Sequence, residues 1–506
     1  MTSRLYKFFV CMLVLSASPV VAEDNDNARE LLERAAEAMG GLDVLQGVDN
    51  FIYTGFGQRY STNGNISADL RSPPKWQSVT DAQRSFDLSG ERALNQERTS
   101  YMFPFAIPLG HSWNRSNTLQ TGWRMMDHPL PALLEALDPE TVLGPVSIED
   151  GRPVVQFTIE DGSPIWIGLD PQTHLPYFTR WITGSATLGD VTNTAYFTGY
   201  LPFEGVMLPI GLMNEMDWRD QTTLMFQVDS YRLNIADMPE FPEPAPGAAP
   251  AAPAVPEVEI TEVADGVWHT LVPGFFGPSG GAVIEFEDHL VMFEPYGSEA
   301  QVFARIDAAN QLVPGKEVTA IIVTHHHDDH AAGVRAAVSR GIAIIAQARN
   351  QALYEEWVSR PAVYFPDALA RNPQPMDFIP VDEQLVLEDA TQRLEIYQVV
   401  GNFHMSDAVL AYLPQERILM EGDFSEDSWT WNWWANSLRA NMDHYDLDAE
   451  IVLPVHGVEA TVEEKLAEAQ DLAEAAQAFC DAQREAEIYS FFGCPVRYDS
   501  EGPILP

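Results

Sequence analysis

From Pro239 to Pro256 the sequence runs PEFPEPAPGAAPAAPAVP, with prolines at 239, 242, 244, 246, 250, 253 and 256. Proline locks φ and lacks a backbone donor, so this stretch cannot continue a helix or a sheet ladder and reads as an extended, semi-rigid spacer. The 506 residues suffice for two or three domains at ~150 residues each. The spacer, residues 239–256, therefore separates a unit over 23–238 from a second over 257–460, followed by a C-terminal helix and tail over 461–506. On this division the halves are separately folded, and residues 257–506 are expected to fold alone.

In the first unit, Asn27-Ala28-Arg29-Glu30 has the form of a capping box, and Leu31, Leu32, Ala35, Ala36 and Met39 share one helical face that stops at Gly40-Gly41. From Phe51 to about Asn234 the pattern changes to alternation, as in Phe51-Ile52-Tyr53, Ile165-Trp166-Ile167 and Tyr177 to Trp181, with Asp170-Pro171 as a turn. A mainly antiparallel β domain with an N-terminal helix is expected. This order resembles the curved half-barrels of periplasmic lipoprotein carriers, and its aromatics read as core.

Residues 1–22 have the form of a secretory signal: Arg4 and Lys7, an apolar run from Phe8 to Leu15, then Val20-Val21-Ala22 before Glu23-Asp24. The run is too short for a membrane-spanning helix, which needs ~20 apolar residues. A periplasmic or secreted protein with no integral membrane segment after cleavage is expected. Beyond the leader, Cys480 and Cys494 are the two cysteines, and either a short disulfide loop or two buried thiols fits them. A formal net charge of −45 repels phosphate backbones, which excludes a nucleic-acid partner across the bulk surface and leaves a small-molecule substrate. Composition says nothing of oligomeric state.

The second unit mixes strands and helices. Val283–Phe286 and Leu290–Phe293 suggest a hairpin across Glu287-Asp288-His289. Further strands are expected over 318–324, 342–346, 394–400, 408–413 and 417–420, with a helix over 347–358. Thr461-Val462-Glu463-Glu464 opens a long helix with Leu466, Ala469, Leu472, Ala476 and Phe479 inward.

The apolar strand Val318 to Thr324 runs directly into His325-His326-His327-Asp328-Asp329-His330. A strand-end loop can turn His325 and His327 to one side while Asp329 and His330 fold back from the start of the next helix. Imidazole nitrogens and carboxylate oxygens suit a borderline divalent ion such as zinc. Three more candidates sit in short polar breaks at strand ends: His404 after Gly401-Asn402-Phe403, Asp423 after Met420-Glu421-Gly422, and His456 after Leu453-Pro454-Val455. Together they supply two nitrogen-rich sites with Asp423 as a shared bridge, the arrangement that a hydroxide held between two metals requires.

With these residues in place, about residues 258–460 resemble the metallo-β-lactamase superfamily of hydrolases. The resemblance implies an αββα sandwich in which His325, His327 and His404 hold one metal, Asp329, His330 and His456 the other, and Asp423 bridges. His326 and Asp328 then fall at the variable positions of the H-x-H-x-D-H motif. A bridging aspartate is similar to the glyoxalase II and lactonase branches and unlike the true β-lactamases, while Glu294 stands where many members carry aspartate.

These features point to a dinuclear hydrolase of an ester, lactone, thioester or amide with two zinc ions per chain, iron and manganese being the other ions such ligands accept. Asp329 is the expected proton shuttle. Tyr296, Trp429 and Trp431 are expected at the substrate pocket. Two other readings are an iron-dependent dioxygenase of the same fold, since the ligands alone do not choose the metal, and a periplasmic carrier of apolar ligands with an incidental metal site.

Overall fold

The structure, a computed structural model, describes residues 23–61, 67–69, 72, 75–101, 114–242, 257–274, 277–402, 405–423, 435–468, 470–471, 497–499 and 502–504. The leader, most of the spacer, both C-terminal cysteines, His404, Trp429 and Trp431 lie outside the described residues. No helix among the described residues is long and apolar enough to cross a membrane.

The first unit opens with helices α1 (Glu23–Met39) and α2 (Leu42–Gln46). Helix α1 starts a turn earlier than the Asn27 capping box suggested, so that Asn27 lies within the helix. Strands β1 (Asn50–Ser61), β2 (Lys75–Asp87), β3 (Arg92–Tyr101) and β4 (Asn114–Thr121) follow, then helix α3 (Pro129–Leu137). The remaining strands are β5 (Val142–Glu149), β6 (Arg152–Thr158), β7 (Pro164–Leu169), β8 (Pro176–Ser185), β9 (Gly189–Phe203), β10 (Val206–Met216) and β11 (Gln221–Leu233).

All eleven join one sheet in the order β4-β3-β2-β1-β11-β10-β9-β8-β7-β6-β5. Successive hairpins build the meander, and β11 returns to β1 with Phe51 opposite Leu233. The buried face carries Phe51, Phe86, Phe157, Ile165, Ile167 and Phe197 against Leu32 and Ala36 of α1 and Leu130 and Leu133 of α3. Alternation in a strand such as Pro164–Leu169 produces this one-sided core, because successive side chains point to opposite faces. The expected antiparallel domain with a leading helix is what the chain forms.

The second unit is a two-sheet sandwich. Its first sheet runs in order through β12 (Glu259–Ala264), β13 (Val267–Gly274), β14 (Gly277–Glu285), β15 (Leu290–Phe293), β16 (Val318–Ile322), β17 (Ala343–Gln347) and β18 (Phe378–Val381). The second runs through β19 (Gln384–Glu388), β20 (Arg393–Gln398), β21 (Val409–Leu413), β22 (Ile418–Glu421), β23 (Ile451–Pro454) and β24 (Ala460–Thr461). Strands β15 to β18 pair in parallel, with α4 (Glu299–Leu312), α5 (Asp328–Ala331), α6 (Val334–Ser339), α7 (Gln351–Ser359) and α8 (Ala368–Arg371) along their connections. Helix α9 (Ala435–Tyr445) serves the second sheet.

The sequence of β16 shows why this layering forms. Ala320 and Ile322 face the second sheet beside Ile396, Ala411 and Met420. Ile321 and Val323 face the opposite way, onto Ile306 of α4 and Val334 of α6. A strand covered on both faces needs apolar residues at consecutive positions. On the other outer face Leu410, Leu419 and Val452 pack against Leu438 of α9. The result is the expected αββα sandwich.

The two units are docked through apolar and polar contacts. Leu188, Val191, Met216 and Trp218 from the first unit belong to the same buried cluster as Val334, Leu353 and Trp357 of the second. The Trp218 indole donates to Glu356 at 2.9 Å, and Arg219 adds an ion pair to the same carboxylate at 2.5 Å. Asp190 accepts backbone N–H groups from Val363, Tyr364 and Phe365 at 2.6, 2.8 and 3.0 Å. Arg360 returns the contact, donating to the carbonyls of Leu188 and Asp190, each at 2.8 Å.

Candidate metal centre

The centre forms where strands of both sheets end at the same edge of the sandwich. Thr324, just past β16, anchors the loop: its hydroxyl lies 3.0 Å from His325 Nδ1 and 3.3 Å from His330 Nδ1, and its carbonyl accepts from Val409 of the second sheet at 2.8 Å. His325 Nε2 and His327 Nδ1 then face each other at 2.9 Å. Helix α5 begins at Asp328 and brings Asp329 and His330 back over the same spot.

Asp423 enters from the end of β22, in a left-handed conformation with φ of 61°. A Cβ at the preceding Gly422 would come within 2.7 Å of the Thr324 hydroxyl, so only glycine fits there. The Asp423 carboxylate lies 3.6 Å from His325 Nε2, 3.0 Å from His330 Nε2 and 3.3 Å from His456 Nε2. His456, beyond β23, is placed by a bridge to Ser279 of β14. Its Nε2 is 3.2 Å from His330 Nε2 and 3.4 Å from Asp329 Oδ2.

Two donor sets result: His325, His327 and Asp423, and Asp329, His330, Asp423 and His456, the donor atoms within each lying inside 4.8 Å of one another. Asp423 belongs to both. His404 lies outside the described residues, as do Trp429 and Trp431. Tyr296 is buried, with its ring edge-on to His456 at 5.8 Å and to His330 at 6.3 Å, so it backs the imidazoles. Glu294 is fully buried and its Oε2 reaches within 3.6 Å of His330 Nδ1 and 3.4 Å of the Thr324 amide. Glutamate at this position thus touches the histidine loop.

The electrostatics of the cluster oppose burial. Desolvation alone disfavours a charged imidazole, yet the Asp423 and Asp329 carboxylates outweigh it and hold His330 well above the usual histidine range. Burial pushes Asp329 up, but the attraction of His330 and a hydrogen bond to His456 dominate and bring it down to about 2. Asp328, buried beside the Asp329 charge, is pushed up to about 6. Four imidazoles and two carboxylates that converge in this way fit divalent cations by donor chemistry, with nitrogen and oxygen ligands of the kind zinc takes.

Some partners of the motif were missed in the sequence. Asp407, fully buried, lies 3.1 Å from His326 Nδ1 through Oδ1, and Asn350 donates to the Asp407 carbonyl at 2.9 Å. The available signal was a carboxylate in the polar break that leads into the apolar strand β21.

Residues 274–456 match the family model of the metallo-beta-lactamase superfamily. This segment has the metallo-β-lactamase fold. Similar solved structures include DIM-1 metallo-beta-lactamase, at 21% identity over 44% of this chain and 99% of that chain, with a TM-score of 0.35. A metallo-beta-lactamase from Pontibacter korlensis is also 21% identical, over 43% of this chain and 99% of that one, with a TM-score of 0.35. The metallo-beta-lactamase FIM-1 from Pseudomonas aeruginosa, in a mono-zinc form, is 22% identical over 43% of this chain and 96% of that chain, at a TM-score of 0.33. Among curated proteins none matches the chain. In the metallo-β-lactamase segment the histidine loop, the β22 end and the β23 end supply every described donor of the two sets.

Proposed function

We propose that the chain is an exported, dinuclear metal-dependent hydrolase of an ester, lactone, thioester or amide. The observation that carries this reading is the pair of donor sets that share Asp423. In one, His325, His327 and Asp423 would hold a cation, and His404 would complete the set. In the other, Asp329, His330, Asp423 and His456 would hold the second. Two bound divalent cations supply Lewis acidity, which makes water a nucleophile at neutral pH and polarises a carbonyl oxygen.

The chain's own residues do the rest. Asp329 stays ionised at neutral pH, so its carboxylate can accept a proton and return it to the departing alkoxide, thiolate or amine. Thr324 and Glu294 orient the His330 ring from the Nδ1 side, which turns Nε2 towards Asp423. Partners behind a ligating histidine set its tautomer and ring orientation. The leader-like segment supports action outside the cytoplasm.

The test is metal analysis of protein purified without chelator, then a panel of chromogenic esters, lactones, thioesters, phosphodiesters and β-lactams. About two zinc ions per chain, with turnover of a carboxylic ester, lactone or thioester, is the expected result. Less than half an ion per chain after metal supplementation refutes the dinuclear site, and iron with no hydrolysis directs the reading to oxygen chemistry.

A further inference from the structure

The intervening residues of the H-x-H-x-D-H motif, His326 and Asp328, are both tied to the first unit, His326 through Asp407 and Asp328 directly. Asp407 divides its buried carboxylate between the units. Oδ1 faces His326 Nδ1 at 3.1 Å, while Oδ2 accepts the Ala68 backbone N–H at 2.6 Å and the Ser67 hydroxyl at 3.2 Å. Ser67 and Ala68 lie between β1 and β2, more than 300 positions away in sequence, and Ala68 is buried in the apolar cluster that spans the interface. Asp328 has an independent contact: the hydroxyl of Thr187, a buried residue in the turn between β8 and β9, hydrogen-bonds its carboxylate.

We propose that the first unit is a structural part of the metal centre, with Ser67, Ala68 and Thr187 as positioning residues that hold the histidine loop in its ligating conformation. The inference rests on the reading of that centre as a metal site. A buried carboxylate without donors is costly, so the loss of Ala68 N–H and Ser67 Oγ forces Asp407 to move. Its partner His326 sits between His325 and His327, whose ring centroids are 4.4 Å apart. Consecutive Cα atoms are only ~3.8 Å apart, so a displaced His326 displaces both neighbours. Asp328 stands in the same relation to His327 and Asp329. The two contacts come from different loops of the first unit and converge on one six-residue segment. Docking therefore fixes the backbone on which four of the seven expected ligands depend, His404, Asp423 and His456 being elsewhere in the chain.

The experiment uses the full-length chain and zinc. Ala68→Pro removes the N–H donor while leaving every residue of the second unit unchanged, and Ser67→Ala removes the hydroxyl more gently. Glu356→Gln is the control, since it weakens the same interface at Trp218 and Arg219, away from the motif. Chelator competition should show zinc affinity reduced ~10- to 100-fold in Ala68→Pro, the range that loss of a ligand's supporting partner produces. A smaller reduction is expected in Ser67→Ala, and wild-type affinity in Glu356→Gln. Because coupling is reciprocal, zinc added to the wild-type chain should slow hydrogen exchange at the Ala68 amide. If Ala68→Pro does not fold, Ser67→Ala and the exchange measurement decide the matter. Wild-type affinity in the folded variants, or exchange at 67–69 indifferent to zinc, overturns the proposal. Equal weakening by Glu356→Gln also overturns it, because docking alone then accounts for the effect. A wild-type chain that takes up no zinc overturns the metal site itself, and this proposal with it.

Discussion

Trp218→Ala tests whether the docked units unfold as one body. The indole is 7% exposed and shares a buried cluster with Leu188, Val191 and Met216 of its own unit and with Leu353 and Trp357 of α7. Its Nε1 donates to Glu356 at 2.9 Å, and the Arg219 guanidinium lies 4.6 Å over its ring. A buried aromatic covers ~150–250 Å², which at ~25 cal/mol per Å² sets an upper bound of about 4–6 kcal/mol. Large-to-small replacements of Trp cost ~3–5 kcal/mol, and Glu356 keeps Arg219, so no buried charge is stranded. With a urea m-value of a few kcal/mol/M, the midpoint should fall by on the order of 1 M. Far-UV circular dichroism, which follows the sheets of both units, is the assay, and a single transition that moves as a whole with unchanged slope is expected. Two resolved transitions, only the first unit's moving, would refute the shared-core reasoning. They would favour the division at the spacer, and residues 257–506 should then be soluble alone.

Asp329→Asn should reduce kcat ~10²-fold or more while the His325 and His327 set still takes up metal, because the amide keeps the shape but loses charge and basicity. Near wild-type turnover in metal-replete protein would count against the proton-shuttle role. Asp423→Ala removes a donor common to both sets, so metal content should fall from about two ions to one or fewer, with circular dichroism unchanged. Two retained ions would exclude the shared bridge. His269, through burial first and the nearby Arg305 charge second, is lowered from 6.5 to about 4. Its folded pKa is below the unfolded one, so the unfolded chain binds more protons between those values and stability falls as pH drops through that window, by roughly 3 kcal/mol at ~1.4 kcal/mol per pKa unit. Urea midpoints at pH 7.5 and 4.5 should differ less in His269→Gln than in wild type, and an unchanged difference would refute the assignment.

What was legible in the sequence was local. The consecutive apolar residues of Ala320–Val323, the polar run that follows and the glycines beside Asp423 and His456 are short-range signals, and the donor sets follow from them once strands end together. The antiparallel meander was legible for the same reason, since periodicity records which faces are buried, whereas the αββα sandwich was implied by the family resemblance that the histidine motif carries. The support of the site was not legible. Asp407 reads as one acid among many until the β1–β2 loop is brought to it, and Ser67, Ala68 and Thr187 carry no chemical signature. The capping box at Asn27 misplaced the start of α1 because a pattern of side chains marks a permitted helix start, not an obligatory one.

The placement of the donors across both sheets determines what the fold must resist. His325, His327 and His330 follow β16 of the first sheet, whereas Asp423 and His456 follow β22 and β23 of the second. Any sliding of one sheet over the other would separate the two groups. Near the site the sheets are joined by main-chain hydrogen bonds: Val409 donates to the Thr324 carbonyl at 2.8 Å, and Gly280 to the Val455 carbonyl at 2.6 Å. Glu294 and Asp423 both hold left-handed backbone, at φ of 71° and 61°, a cost of ~1–3 kcal/mol each for non-glycine residues. Such conformations persist only where the surroundings over-determine them, and here both carboxylates face His330 from opposite ring nitrogens. The strained carboxylates meet at His330, and the inter-sheet bonds run through Thr324 and Val455, the residues just before His325 and His456, so a cation bound between Asp423 and His330 would tie the sheets close to where the chain already holds them together.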